Sequence, residues 1–201
     1  LYIGAKIKFA DIDPRTMNIS IPSVKKLISK KTKAIVCVHY GGLPCEMDEL
    51  KKLSKKYKIP IIEDAAHAMG ARYKGKTIGS ISDFTTFSFQ AIKHFTTGDG
   101  GMLTIKDKNL LKKGKRLRWF GIDREGKQNG TWENDVYETG YKYQMTDIAA
   151  TLGFDSLLEF NKILIHRRKI FNVYLNELSK NKNIFCINDQ DKNKFHSAWL
   201  F

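Results

Sequence analysis

The sequence predicts an α/β domain whose mainly parallel sheet lies between helices, and three observations carry that prediction. Ala34-Ile35-Val36-Cys37-Val38 is a continuous apolar run, the pattern of a strand covered on both faces. Met47, Leu50, Leu53 and Tyr57 then recur at helical spacing. Pro60-Ile61-Ile62-Glu63 supplies a second short buried strand. Strand, helix and strand in this order build a parallel pair through a right-handed crossover.

The remaining elements follow in chain order. Lys6 to Asp13 reads as a strand. Ser20 can cap a helix that Pro22 opens, with Val24, Leu27 and Ile28 on one face. Lys74-Gly75-Lys76 marks a turn within a small hairpin between Ala71 and Gly79. Asp83 to Phe89 reads as a strand, and Gly101-Met102-Leu103-Thr104-Ile105 as its partner. Asp107 to Phe120 is a basic helix. The stretch from Gly121 to Tyr143 is a loop long enough to be functional. From Thr146 to about Lys180 the pattern is helical, either two helices or one long bent one. Ala198-Trp199-Leu200-Phe201 reads as the start of another strand. The absence of Met at position 1 and the apolar last residues mark the sequence, in this reading, as an interior fragment.

Composition narrows the function classes. Of 201 residues, 42% are hydrophobic and 28% charged, a globular balance of about one domain and part of a second. No apolar run approaches the roughly 18 residues of a membrane helix, and no signal peptide is visible. Three scattered cysteines, Cys37, Cys45 and Cys186, make neither a disulfide framework nor a zinc site, and the cytoplasm is the expected location. The 35 Lys and Arg against 21 Asp and Glu leave a formal net charge of +14, which favours anionic partners. No basic block interleaves with aromatics, as a nucleic-acid module requires. The lysines read instead as the wet faces of helices, as in Met47 to Tyr57.

Two segments carry residues suited to chemistry. In Ile61 to Gly70 a buried strand ends in Glu63-Asp64 and turns through small residues to His67. Ligands of open α/β sheets bind at such carboxyl ends, although an acid there also serves as a plain turn cap. In Phe87-Ser88-Phe89-Gln90-Ala91-Ile92-Lys93, strand alternation points Ser88 away from the two rings. Lys93 follows just past the strand, and Gly98, Gly100 and Gly101 permit close backbone approach. Taken alone, Lys93 is one surface lysine among many. Paired with Asp64 it is a nucleophilic amine facing a carboxylate, with an imidazole and a hydroxyl nearby. Pyridoxal phosphate needs that set: a lysine for its carbonyl and an acid for its ring nitrogen.

Glu63-Asp64-Ala65-Ala66-His67-Ala68-x-Gly70, then Ser88-Phe89-x-x-x-Lys93 and Gly98-Asp99-Gly100-Gly101, resembles the paired motif of the DegT/DnrJ-type nucleotide-sugar aminotransferases. Asp11 to Pro14, Thr32 to Val36 and Val38 to Gly42 are similar to the approach to the first motif. Gly140 to Asp147 is similar to the loop before the family's interdomain helix. The resemblance covers essentially the whole sequence.

It implies the large domain of a type I aminotransferase, with residues 1–145 as the cofactor-binding domain lacking its N-terminal part. Residues 146–201 would be interdomain helices and the start of a small C-terminal domain. The implied cofactor is pyridoxal 5'-phosphate. Lys93 would bind it covalently and shuttle the substrate proton, Asp64 would pair with the ring nitrogen, and His67 would contact the ring or its phenolic oxygen. Ser88 would hold the phosphate. Gln90 stands where relatives often have histidine. Lys142 stands where many have a phosphate-binding asparagine, on a loop expected to enter the neighbouring subunit of a homodimer.

The implied reaction moves an amino group from glutamate to a keto group of a nucleotide-linked sugar of the 4-keto-6-deoxy type. The setting would be amino-sugar and cell-surface polysaccharide synthesis, including lipopolysaccharide, with no nucleic acid or membrane partner. Arg124 is a candidate for the sugar's diphosphate, since a guanidinium forks onto phosphate oxygens; pairing with Asp123 or Glu125 is its other reading. The family's dehydratase branch has histidine where Lys93 stands, so Lys93 favours amino transfer. The rival from another class is a basic α/β module that binds a phosphorylated ligand or nucleic acid without chemistry.

Overall fold

The computed structural model describes residues 3–128, 130, 136–187 and 191–201. The first helix, α1 (Ile21–Leu27), starts at Ser20, whose side chain accepts a hydrogen bond from the Ser23 N–H, with Pro22 in the first turn. Strand β1 (Ile35–Val38) leads into α2 (Met47–Tyr57) and β2 (Ile61–Asp64). Met47, Leu50 and Leu53 of α2 are buried and pack on the core face of the sheet with Val24, Ile35, Cys37 and Ile61. The hairpin of β3 (Arg72–Tyr73) and β4 (Lys76–Thr77) turns at Lys74 and Gly75, both with positive φ. That left-handed pair is what a tight two-residue hairpin turn requires.

Strands β5 (Phe84–Ser88) and β6 (Gly101–Ile105) complete a four-stranded sheet of order β1-β2-β5-β6. The first two pairings are parallel and the last is antiparallel. Gly101 is required where β6 meets β5, because a side chain there would run into the Phe87 carbonyl. The basic helix is α3 (Lys108–Arg118), capped by Asp107, and α4 (Arg124–Gln128) occupies part of the predicted loop. Residues 129 and 131–135 of that loop lie outside the described residues.

The helical pattern after Thr146 is one helix, α5 (Asp147–Leu178), 32 residues long and so about 48 Å from end to end. Its buried residues are Gly153, Leu164 and Phe171, spaced by whole turns along one stripe. Gly153 lies against Phe95 and Thr97, and Leu164 lies at Gly70. Two expected strands do not form. Lys6 to Asp13 makes a single bridge, Ile12 to Ile19; Asp11 and Asp13 bond into the turn that follows, and no strand among the described residues lies alongside the rest of the segment. Near the end, β7 (Lys194–Phe195) pairs with β3, and residues 198–201 dock as an irregular segment instead of a strand.

Candidate active site

Register decides which side chains meet. Asp64 pairs with Thr86 across the parallel β2–β5 ladder, so Asp64, Thr86 and Ser88 share one face. Glu63 points the other way into the core and is fully buried. At the end of β2, Asp64 Oδ1 accepts the Ala66 N–H at 3.0 Å. One hydrogen bond leaves most of a carboxylate's acceptor capacity unused. Ser88 Oγ accepts only a long bond from the Gln90 N–H, 3.4 Å, and Gln90 is exposed.

His67 follows the turn after Asp64. Its Nδ1 accepts the Gly41 N–H at 3.3 Å, which places the ring proton on Nε2. Burial first, and the Lys93 charge second, push its pKa below the usual 6.5. The ring is therefore neutral and offers an Nε2–H donor.

Lys93 sits in a loop pinned at both ends. Phe89 N–H donates to the Gly100 carbonyl and Thr97 N–H to the Phe89 carbonyl. Phe89 and Phe95 meet edge to face at 4.5 Å, and Ser156 of α5 accepts the Thr96 N–H at 3.0 Å. Burial lowers the Lys93 pKa from its usual value, against the pull of Asp64. A partly dehydrated amine is a better nucleophile at neutral pH. Its neighbour His94 points inward and is 3% exposed.

The structure also brings in a residue that the motif reading missed. The Trp199 indole stacks on His67, centres 3.8 Å apart and planes 12° apart. Lys93 Nζ lies 3.9 Å from the centre of the same indole. An imidazole and an ammonium at those distances cannot share one face, so the indole is held between them. The segment reaches this place through backbone bonds: Ser197 N–H to the Gly42 carbonyl, and Trp199 and Leu200 N–H to the Gly41 carbonyl. Ser197 Oγ donates to the His67 carbonyl at 2.8 Å. Gly42, at φ +100°, leaves room for Ser197 where any side chain would collide. The one advance signal was an aromatic near the chain end; no spacing rule links it to Lys93.

Arg124 and Lys142 gather elsewhere. The Arg124 guanidinium lies 4.6 Å above the Trp119 ring, and Lys142 bridges the Trp119 backbone. Glu125 pairs with Lys115 instead, and Asp123 accepts the Gly126 N–H. Both cations are exposed. Gly121 and Gly140 allow this crossing, since a Cβ on either would overlap the other strand's backbone.

An α/β sheet that presents an amine, a carboxylate, a hydroxyl and a neutral imidazole at its strand ends defines a lysine-based cofactor site. The chain belongs to the DegT/DnrJ/EryC1/StrS aminotransferase family, whose model matches residues 1–201. It is 39% identical over 96% of its length to a UDP-4-amino-4,6-dideoxy-N-acetyl-beta-L-altrosamine transaminase of Campylobacter jejuni, covering 51% of that protein. It is 34% identical over 99% of its length to GDP-perosamine synthase of Escherichia coli O157:H7, covering 52% of it. The PLP-form of the Streptococcus pneumoniae sugar aminotransferase Spr1654 has a TM-score of 0.86 and 31% identity, over 100% of this chain and 55% of that one. The chain spans about half the length of the curated relatives it matches.

The family is dependent on pyridoxal phosphate, and the residues here fit that group. Asp64 has unused acceptor sites for a ring N–H, and Ser88 has a hydroxyl free for a phosphate oxygen.

Proposed function

We propose that the protein containing this chain is an aminotransferase that moves nitrogen from glutamate to the keto carbon of a nucleotide-linked 4-keto-6-deoxy sugar. The observation that supports this reading best is the convergence of Asp64, His67, Ser88 and Lys93 at the ends of β2 and β5 in a chain of this family. The names of the Campylobacter and Escherichia relatives support the sugar class. A module that only binds phosphorylated ligands leaves the Lys93–Asp64 arrangement without a use.

When bound, pyridoxal phosphate supplies an electron sink for negative charge at the substrate carbon. Lys93 would hold the group at its carbonyl carbon, and its Nζ would take and return the proton at the substrate carbon. Asp64 would accept the ring nitrogen's N–H. His67 would offer its Nε2–H to the ring oxygen, and Ser88 would hold the phosphate. Gln90 lies at the rim and acts through its backbone N–H on Ser88.

Arg124 and Lys142, gathered on Trp119, complete a second copy's site in a homodimer and meet the sugar's diphosphate or the cofactor's phosphate. The exposed Tyr143, whose N–H donates to the Arg118 carbonyl next to this patch, and the exposed Ile148 and Leu152 at the start of α5 supply apolar surface for that contact. The division into a cofactor-binding part to residue 145 and an interdomain part from 146 belongs to the same reading, as does a role in lipopolysaccharide or related surface-sugar synthesis. The free thiols of Cys37, Cys45 and Cys186 support a reducing compartment such as the cytoplasm. No helix among the described residues is long and apolar enough to cross a membrane.

The test takes the full-length protein loaded with pyridoxal phosphate. Glutamate alone should bleach the visible band with release of one 2-oxoglutarate per site. A UDP- or GDP-linked 4-keto-6-deoxyhexose should then restore it. A band that glutamate leaves unchanged would overturn the reading.

A further inference from the structure

We propose that Trp199 is a specificity residue that packs against the reacting sugar and favours its deoxygenated, hydrocarbon side; this rests on the aminotransferase reading above. The indole lies 3.9 Å from Lys93 Nζ. Whatever carbon Lys93 deprotonates must therefore come within reach of the same ring. In a nucleotide-linked sugar only the sugar can occupy that place, because the diphosphate keeps the base at the far end.

The indole is not a loose side chain. Its Nε1–H donates to the Ile92 carbonyl at 3.4 Å, and one face is closed by His67. Ser197 and the glycine pair Gly41–Gly42 fix the backbone on either side of it. The face that Lys93 covers is the one that becomes available when the ammonium swings away on its flexible four-carbon stem. A C–H face or a methyl group loses nothing by packing there. A hydroxyl pressed on the same surface forfeits its hydrogen bonds to water and finds no partner, since the indole's single polar group is already committed to Ile92. Selection against an extra hydroxyl by an apolar wall is modest in size, on the order of tens of fold.

The experiment uses full-length protein carrying 5-fluorotryptophan at its three tryptophans. The Trp199 signal in ¹⁹F spectra is assigned by its loss in Trp199→Phe. UDP- or GDP-linked 4-keto-6-deoxyhexose should shift that signal, whereas UDP or GDP alone should leave it in place. Trp199→Ala should raise the sugar's KM roughly tenfold, and Trp199→Phe should restore most of the loss. Binding of the nucleotide sugar with an unmoved Trp199 signal would overturn the inference and leave the aminotransferase reading intact. Failure to bind any such sugar would overturn both.

Discussion

Glu63 and Asp64 are adjacent carboxylates on one strand with opposite fates. Glu63 faces the core, where Oε2 meets His39 Nε2 at 2.8 Å and Oε1 accepts from Ser82 N–H and Thr85 Oγ1. Burial alone would push it up, but these bonds outweigh burial and hold its pKa below the usual 4.5. His39 is itself finished, its Nδ1 accepting the Cys45 N–H at 3.0 Å. Asp64, one residue on, has one partner and looks onto Lys93 and His67. A polar group with every bond made is architecture, and one with bonds to spare is equipped for a ligand. Lys93 and His94 differ in direction only, one amine turned to the site and one imidazole turned into the packing, where its Nε2 is left without a hydrogen-bond partner among the described residues.

The sharpest way to break this contrast is on its open side. Lys93→Ala should lower turnover on the order of 10³-fold or more, measured as 2-oxoglutarate release, with circular dichroism unchanged. Asp64→Asn should cost about 10²-fold in turnover and leave the unfolding midpoint near that of the parent. Equal loss of stability in Asp64→Asn would remove the distinction from Glu63.

On the closed side the effects fall on stability. Burial, assisted by the Arg167 charge, lowers His94 from 6.5 to about 4, so the folded chain resists a proton that the unfolded chain accepts. Its contribution is complete above pH 6.5 and is lost as pH falls toward 4, of the order of 3 kcal/mol in all. Denaturant titrations at pH 7, 5.5 and 4 should show that slope, and His94→Asn should flatten it. Glu63→Gln should cost about 2 kcal/mol, a fall of roughly 4–8 °C in Tm for a chain of this size. Its turnover per folded molecule should stay within twofold. A tenfold loss there would assign Glu63 to the chemistry.

Much of this was legible in advance because it is local. Apolar runs and helical spacing located β1, α2 and β2, and strand alternation separated Ser88 from its flanking rings. The acid and lysine motifs sat in the right order to name the family. What stayed hidden depended on distant partners. Lys6 to Asp13 has strand-like residues but no neighbouring strand to pair with, so propensity lost to tertiary context. Trp199 enters the site through Gly41, Gly42 and Ser197, contacts that only the folded chain creates. The place of Arg124 over Trp119, with Glu125 paired to Lys115, likewise depends on side chains that local spacing does not bring together.

The most direct test of the central claim is borohydride reduction of the full-length protein loaded with pyridoxal phosphate, followed by peptide mapping. The account predicts a stable pyridoxyl group on the peptide containing Lys93, absent from Lys93→Ala. A group fixed on another lysine, or on none, would contradict it.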